Sequence, residues 1–143
     1  MLVSQILNGK GAQVFSCSPH ETLAAAAQQL AEHRIGAMVV MDDKGQVTGI
    51  ISERDIVRAV AGAGARALSS PVQSFMSRGI IYAEPRETVD TLLSRMTDRR
   101  IRHLPVCHNG HLMGVVSIGD LVKAKIAEAE AEAEGLKAYI TQG

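Results

Sequence analysis

One seven-residue pattern is spelled twice in this chain of 143 residues, as Gly49-Ile50-Ile51-Ser52-Glu53-Arg54-Asp55 and as Gly114-Val115-Val116-Ser117-Ile118-Gly119-Asp120. The two copies stand 65 positions apart, and the correspondence reaches well beyond them. Pro19, Glu21 and Thr22 recur as Pro85, Glu87 and Thr88 at a spacing of 66, as do Arg34, Ile35 and Val40 as Arg100, Ile101 and Val106. Gly45 then matches Gly110 at 65, so one residue was lost in a turn. A register that survives an indel confined to a turn marks a duplicated folded unit. The chain must therefore build two copies of one small α/β unit.

Each copy reads strand, helix, strand, strand, helix. Val14-Phe15-Ser16 and Ile80-Ile81-Tyr82 are short apolar runs leading to proline-containing turns, and Thr22 and Thr88 can cap the helices that follow. Leu23, Ala26, Ala27 and Leu30 fall at helical spacing, and Val89, Leu92, Leu93 and Met96 take the matching places. Hairpins are expected from Ala37–Met41 with Val47–Ser52, and from His103–Cys107 with Leu112–Ser117 around Asn109-Gly110. Final helices start after Ser52 and Ser117. The first breaks at Gly62-Ala63-Gly64-Ala65, and the stretch to Pro71 reads as a linker between copies. The second runs on through Ala-Glu-rich sequence to about Ile140. Val122, Ile126, Ala129, Ala133, Leu136 and Ile140 form a heptad-like seam suited to a second copy of the chain. The division expected is residues 1–68 for the first repeat, 69–126 for the second and 127–143 for a helical extension.

Composition excludes several classes. Lys plus Arg and Asp plus Glu both total 15, so no net field favours nucleic acid or a membrane surface. Aromatic residues are 3% of the chain, too few for a base-stacking platform. No apolar run approaches the roughly 20 residues of a membrane helix. The first residues lack a secretory pattern, so a cytoplasmic protein with reduced Cys17 and Cys107 is expected.

The repeated Ser-x-x-Asp carries two readings. As a capping box, Ser and Asp satisfy the first turn of a helix and do nothing more. That leaves the Gly three residues upstream unexplained, since Gly weakens a strand unless a backbone or a ligand comes close. As a binding site, the helix N-terminus and Ser52 or Ser117 suit a phosphate, while the acceptor-only Asp55 or Asp120 suits the vicinal hydroxyls of a ribose. Phosphate and ribose side by side imply a nucleotide. Arg54, and Arg102 with His103, can neutralise phosphate charge. Met38, Ile51, Leu104, Pro105 and Val116 are candidates to line a slot for a base.

The element order, the paired Gly-h-h-Ser-x-x-Asp phrases and the Leu104-Pro105-Val106 strand together resemble a tandem pair of cystathionine-β-synthase (CBS) domains, a Bateman module of the stand-alone bacterial type. The resemblance covers about Ser4 to Ile126. It implies an α+β fold of two β-α-β-β-α repeats about a pseudo-twofold axis, with a long C-terminal helix added and two clefts between the repeats. It implies a non-catalytic sensor of adenosyl ligands such as AMP, ATP, S-adenosylmethionine or NAD(H). Asp55 and Asp120 would take ribose hydroxyls, Ser52 and Ser117 would lie near phosphate, and the backbone at Ile80 and from His103 to Pro105 would border adenine. Homodimers and a regulated protein in trans are the partners implied. A ligand-free dimeric scaffold is the alternative.

Other constellations carry less. Cys107, His108, His111 and His103 lack the converging spacing of a zinc site, so no metal is expected. No serine has a Gly-x-Ser-x-Gly setting and no nucleophile pairs with a histidine, so no catalytic residue is assigned.

Overall fold

The computed structural model of the protein describes residues 1–10 and 14–142. They form helix α1 (Val3–Lys10), strand β1 (Ser16–Cys17), α2 (Leu23–His33), β2 (Ala37–Met41), β3 (Val47–Ser52), α3 (Glu53–Ala63), α4 (Val89–Arg99), β4 (His103–His108), β5 (His111–Ser117) and α5 (Ile118–Gln142). Two short 3₁₀ stretches, Gly64–Ser69 and Val72–Ser74, follow α3. The chain divides into two compact units, one of residues 14–81 and one of residues 1–13 with 82–143. These units are offset from the expected sequence division, because residue 68 lies inside the first of them.

In the unit of residues 14–81, β1 pairs in parallel with β2, and β2 pairs antiparallel with β3. The two residues of β1, Ser16 and Cys17, stand opposite Val39 and Val40. The strand therefore lies later than the expected Val14–Ser16. It stops because Pro19 has no N–H to extend the ladder. Helix α2 starts where Thr22 Oγ1 accepts the Ala25 N–H at 3.1 Å. It ends at Arg34, held left-handed at φ 54°. Leu23, Ala26 and Leu30 are buried with Met38, Val40 and Ile51 of the sheet, Ala59 of α3, and Ala67, Val72 and Met76. Ala67 and Val72 correct the expected linker: the stretch before and after Pro71 folds back as 3₁₀ turns and adds side chains to this core.

The unit of residues 1–13 and 82–143 repeats the plan with a smaller sheet. β4 and β5 form a hairpin whose turn places Asn109 at φ 52° and Gly110 at φ 79°, the positive pair a type I′ turn requires. The expected strand Ile80–Tyr82 is absent. Its place is taken by a single parallel bridge, Ala83 to Val106, directly before Glu84-Pro85. Thr88 caps α4 as Thr22 caps α2, and Arg100 again closes the helix left-handed at φ 54°. Val89, Leu92, Met96, Leu104, Val106, Val116 and Leu121 are buried.

Helix α1 was not foreshadowed by the repeat pattern, and it explains the offset of the units. Val3 N–H donates to Glu87 O at 2.9 Å, Ser4 N–H to Pro85 O at 2.9 Å, and Val89 N–H to Met1 O at 3.1 Å. The other unit makes the same three bonds: Val72 N–H to Glu21 O at 2.8 Å, Gln73 N–H to Pro19 O at 3.1 Å, and Leu23 N–H to Ser70 O at 2.9 Å. Met1–Leu7 and Ser70–Met76 are thus counterparts. Each precedes one sequence repeat and packs in the unit that holds the other.

Candidate functional site

Both repeated phrases sit where a strand turns into a helix, and both are complete capping boxes. Ser52 N–H donates to Asp55 Oδ2 at 3.0 Å, and Asp55 N–H donates to Ser52 Oγ at 3.2 Å. Ser117 and Asp120 match them at 2.9 and 3.1 Å. The N–H between these positions' partners is also spoken for, because Glu53 donates to Gly36 O at 2.9 Å and Ile118 to Arg102 O at 2.8 Å. At each helix start this leaves one first-turn N–H, that of Arg54 or Gly119, without a hydrogen bond among the described residues. The serine hydroxyls accept a bond, so their protons remain available to donate.

The upstream glycines have a structural cause. A Cβ on Gly49 would lie 2.6 Å from Met76 Sδ and 2.8 Å from Ser77 O, and one on Gly114 would lie 2.7 Å from Leu7 Cδ2. Each glycine admits the counterpart segment described above. The close backbone expected there is found at Gly49, as Ser77 O, whereas at Gly114 the close neighbour is the Leu7 side chain.

The two carboxylates differ in their surroundings. Asp55 is half-buried and lines a cavity of ≈ 370 Å³ with Arg58, Ala59, Gly62, Ala63 and Phe75. Among the described residues, its carboxylate accepts only the Ser52 N–H. Asp120 Oδ2 takes both the Ser117 N–H and the Lys10 ammonium, at 2.7 Å, and Lys10 also reaches Val115 O at 3.0 Å. Burial pushes the Asp120 carboxyl up, but Lys10 and the Ser117 N–H outweigh it and hold the group below its ordinary value.

The remaining expected residues fall as follows. Ser52, Arg54, Asp55 and Ile80 belong to the unit of residues 14–81, and Arg102, His103, Leu104, Pro105, Val116, Ser117 and Asp120 to the other. Arg54 and Arg102 are exposed, and Ile80 and His103 are half-buried. Leu104, Pro105 and Val116 are buried, as are Met38 and Ile51. Lys10, Arg58 and Phe75 were not foreseen. Lys10 ends a stripe Val3, Ile6, Leu7, Lys10 at helical spacing, and Arg58 lies one turn beyond Asp55, so both were legible in principle. Phe75 arrives through the 3₁₀ fold-back and had no local signal.

Among the described residues, no group of three or more His, Cys, Asp or Glu side chains is placed to hold a metal ion. Burial, with Glu21 nearby, pushes the Cys17 thiol up to about 11, and burial raises that of Cys107. No helix among the described residues is long and apolar enough to cross a membrane.

The chain thus holds two β-hairpin units, each followed by a Ser-x-x-Asp helix start. The CBS domain family matches the chain twice, over residues 5–62 and 72–127, and the chain belongs to that family. It is similar to a CBS-domain-containing protein of Agrobacterium tumefaciens, with 44% identity and a TM-score of 0.85 over 87% of this chain and 92% of the other. It also resembles a CBS domain protein of Pyrobaculum aerophilum complexed with AMP, at 29% identity and a TM-score of 0.75 over 84% and 89%. A CBS-domain pair crystallised with 5′-methylthioadenosine and S-adenosyl-L-methionine gives 25% identity and a TM-score of 0.80 over 90% and 98%.

Proposed function

We propose that the chain is a non-catalytic regulatory module that binds an adenine nucleotide (AMP, ATP or an NAD-type adenosyl compound) and signals its occupancy to a protein in trans. The observation that carries this reading is the state of Asp55. Its half-buried carboxylate lines a cavity and spends one hydrogen bond on its own cap, beside a serine hydroxyl and an unengaged helix N–H. That set matches a ribose diol next to a phosphate. The AMP and methylthioadenosine complexes of similar proteins support an adenosyl ligand. In this reading Asp55 and Asp120 take ribose hydroxyls. Ser52, Ser117, Arg54 and Arg102 take phosphate. Ile80, Val116 and the backbone from His103 to Pro105 border the base.

The two sites are not equivalent. At Asp120 the incoming hydroxyls meet a carboxylate already shared with Lys10, so the Asp55 site is the more available for a diol. A thermal-shift series with AMP, ATP, NAD(H) and S-adenosylmethionine tests the reading. A ligand at about 100 times its Kd stabilises the fold by about 2.7 kcal/mol, several degrees for a chain of this length. Unchanged melting with every compound overturns it in favour of a ligand-free scaffold. One observation favours that second reading: Val122, Ile126, Leu136 and Ile140 of α5 are exposed at 45%, 55%, 62% and 67%. In either reading the module acts as a homodimer.

A further inference from the structure

The exposed side of α5 carries a charge pattern as well as an apolar one. Leu121 and Ala124 are buried, whereas Val122, Ile126, Ala129, Ala133, Leu136 and Ile140 are all exposed. At 100° per residue the six exposed positions share one stripe, turned well away from Leu121 and Ala124. They alternate in steps of four and three over more than two heptads, with Ile126, Ala133 and Ile140 at one core position and Val122, Ala129 and Leu136 at the other. The residues flanking that stripe on one edge are Lys125, Glu132 and Tyr139, and on the other Lys123, Glu130 and Lys137.

We propose that α5 pairs with α5 of a second copy as a parallel, in-register two-stranded coiled coil. In that arrangement a residue of the first edge meets the second-edge residue five positions further along the partner helix. Lys125 then faces Glu130 of the second copy, and Glu132 faces Lys137, so both pairs attract. The antiparallel arrangement that matches the apolar layers sets Glu132 against Glu132, Glu130 against Glu130 and Lys123 against Lys137. All three repel. The small Ala129 and Ala133 allow the helices to approach closely in the middle, and Val122, Ile126, Leu136 and Ile140 close the ends. Lys125 already contacts Asp90 Oδ1 of its own chain at 2.9 Å, while Lys137 reaches Glu134 of its own helix only at 4.0 Å. The Glu132–Lys137 pair is therefore the more telling one.

The inference rests on the homodimer stated above but not on nucleotide binding. A dimer formed through another surface would leave that statement intact and defeat this geometry. The test has two arms. Leu136→Cys places thiols side by side in the parallel register, whereas the antiparallel one sets them about 15 Å apart along the axis. Mild oxidation should convert this variant to a covalent dimer while the wild type, with its native Cys17 and Cys107, stays uncrosslinked. In sedimentation equilibrium, Glu132→Lys should weaken the dimer about tenfold, since two rim pairs turn from attraction to repulsion. Glu132→Lys with Lys137→Glu should restore it. A chain monomeric at every concentration, a dimer in which Leu136→Cys does not crosslink, or a dimer indifferent to Glu132→Lys or not restored by the double reversal overturns the proposal.

Discussion

Two glycines that look alike in the repeat are constrained by different atoms. A methyl group on Gly49 meets the backbone oxygen of Ser77, which cannot swing aside, as well as the Met76 side chain. On Gly114 it meets only the end of Leu7. Gly49→Ala should therefore cost about 2–3 kcal/mol and Gly114→Ala about 1 kcal/mol in urea denaturation; equal costs would contradict this account of the packing. Asp120 gives a second residue-level prediction. Burial raises its carboxyl, yet Lys10 and Ser117 hold it below the ordinary 3.8, so the unfolded chain takes up the proton first. The stability this group contributes is thus complete above about pH 4 and is lost as pH falls through its native value. The stability gap between wild type and Asp120→Asn should be widest near neutrality and narrow steadily in acid. A gap that ignores pH would mean Lys10 leaves the carboxylate in solution.

At the scale of elements, the repeat carried much of its own explanation. Thr22 and Thr88 cap the helices they were expected to cap, and Asn109-Gly110 makes the expected turn. What the sequence hid was long-range. Gly64-Ala65 reads as a breaker, and α3 does stop there, but the burial of Ala67 beyond it depends on residues brought back from α2 and the sheet. The strand expected at Ile80–Tyr82 shrank to one bridge because apolar side chains promise burial, not a pairing partner, and the proline that ends the run lies three residues on. The doubled Glu21 and Glu87 had no meaning until the helices placed their partners. Glu87 is bidentate to Arg95, whose guanidinium holds its carboxyl below the usual range, and among the described residues Glu21 takes only the Gln29 amide, at 3.2 Å. Arg95→Ala should lower stability by about 1 kcal/mol more than Gln29→Ala, since a charge-assisted pair gives way in one and a neutral bond in the other.

For the whole molecule, the exchange of lead-in segments makes the N-terminus part of the second repeat's unit. Removing residues 1–10 should raise hydrogen exchange in β5 and at the start of α4, where Leu7 and the Met1–Ser4 backbone dock. It should leave β2 and β3 protected, because Ser70–Ser77 still cover that unit. Loss of protection in β2 and β3 alone would contradict the exchange. The candidate site was legible to the extent that its chemistry is local: Ser, Asp and the helix start are neighbours in sequence and form as expected. Its asymmetry was legible in part, since Gly119 stands where the first phrase has Arg54; the share due to Lys10 was not, because Lys10 lies 110 residues from the carboxylate it engages. The most direct measurement is calorimetric titration of AMP into wild type, Asp55→Ala, Asp120→Ala and the double variant. Binding to wild type, weakened more than tenfold in Asp55→Ala and abolished in the double variant, with each single change costing only about 1 kcal/mol of stability, is the predicted result. A double variant that takes up AMP as tightly as wild type would contradict the claim that these paired turns hold the nucleotide.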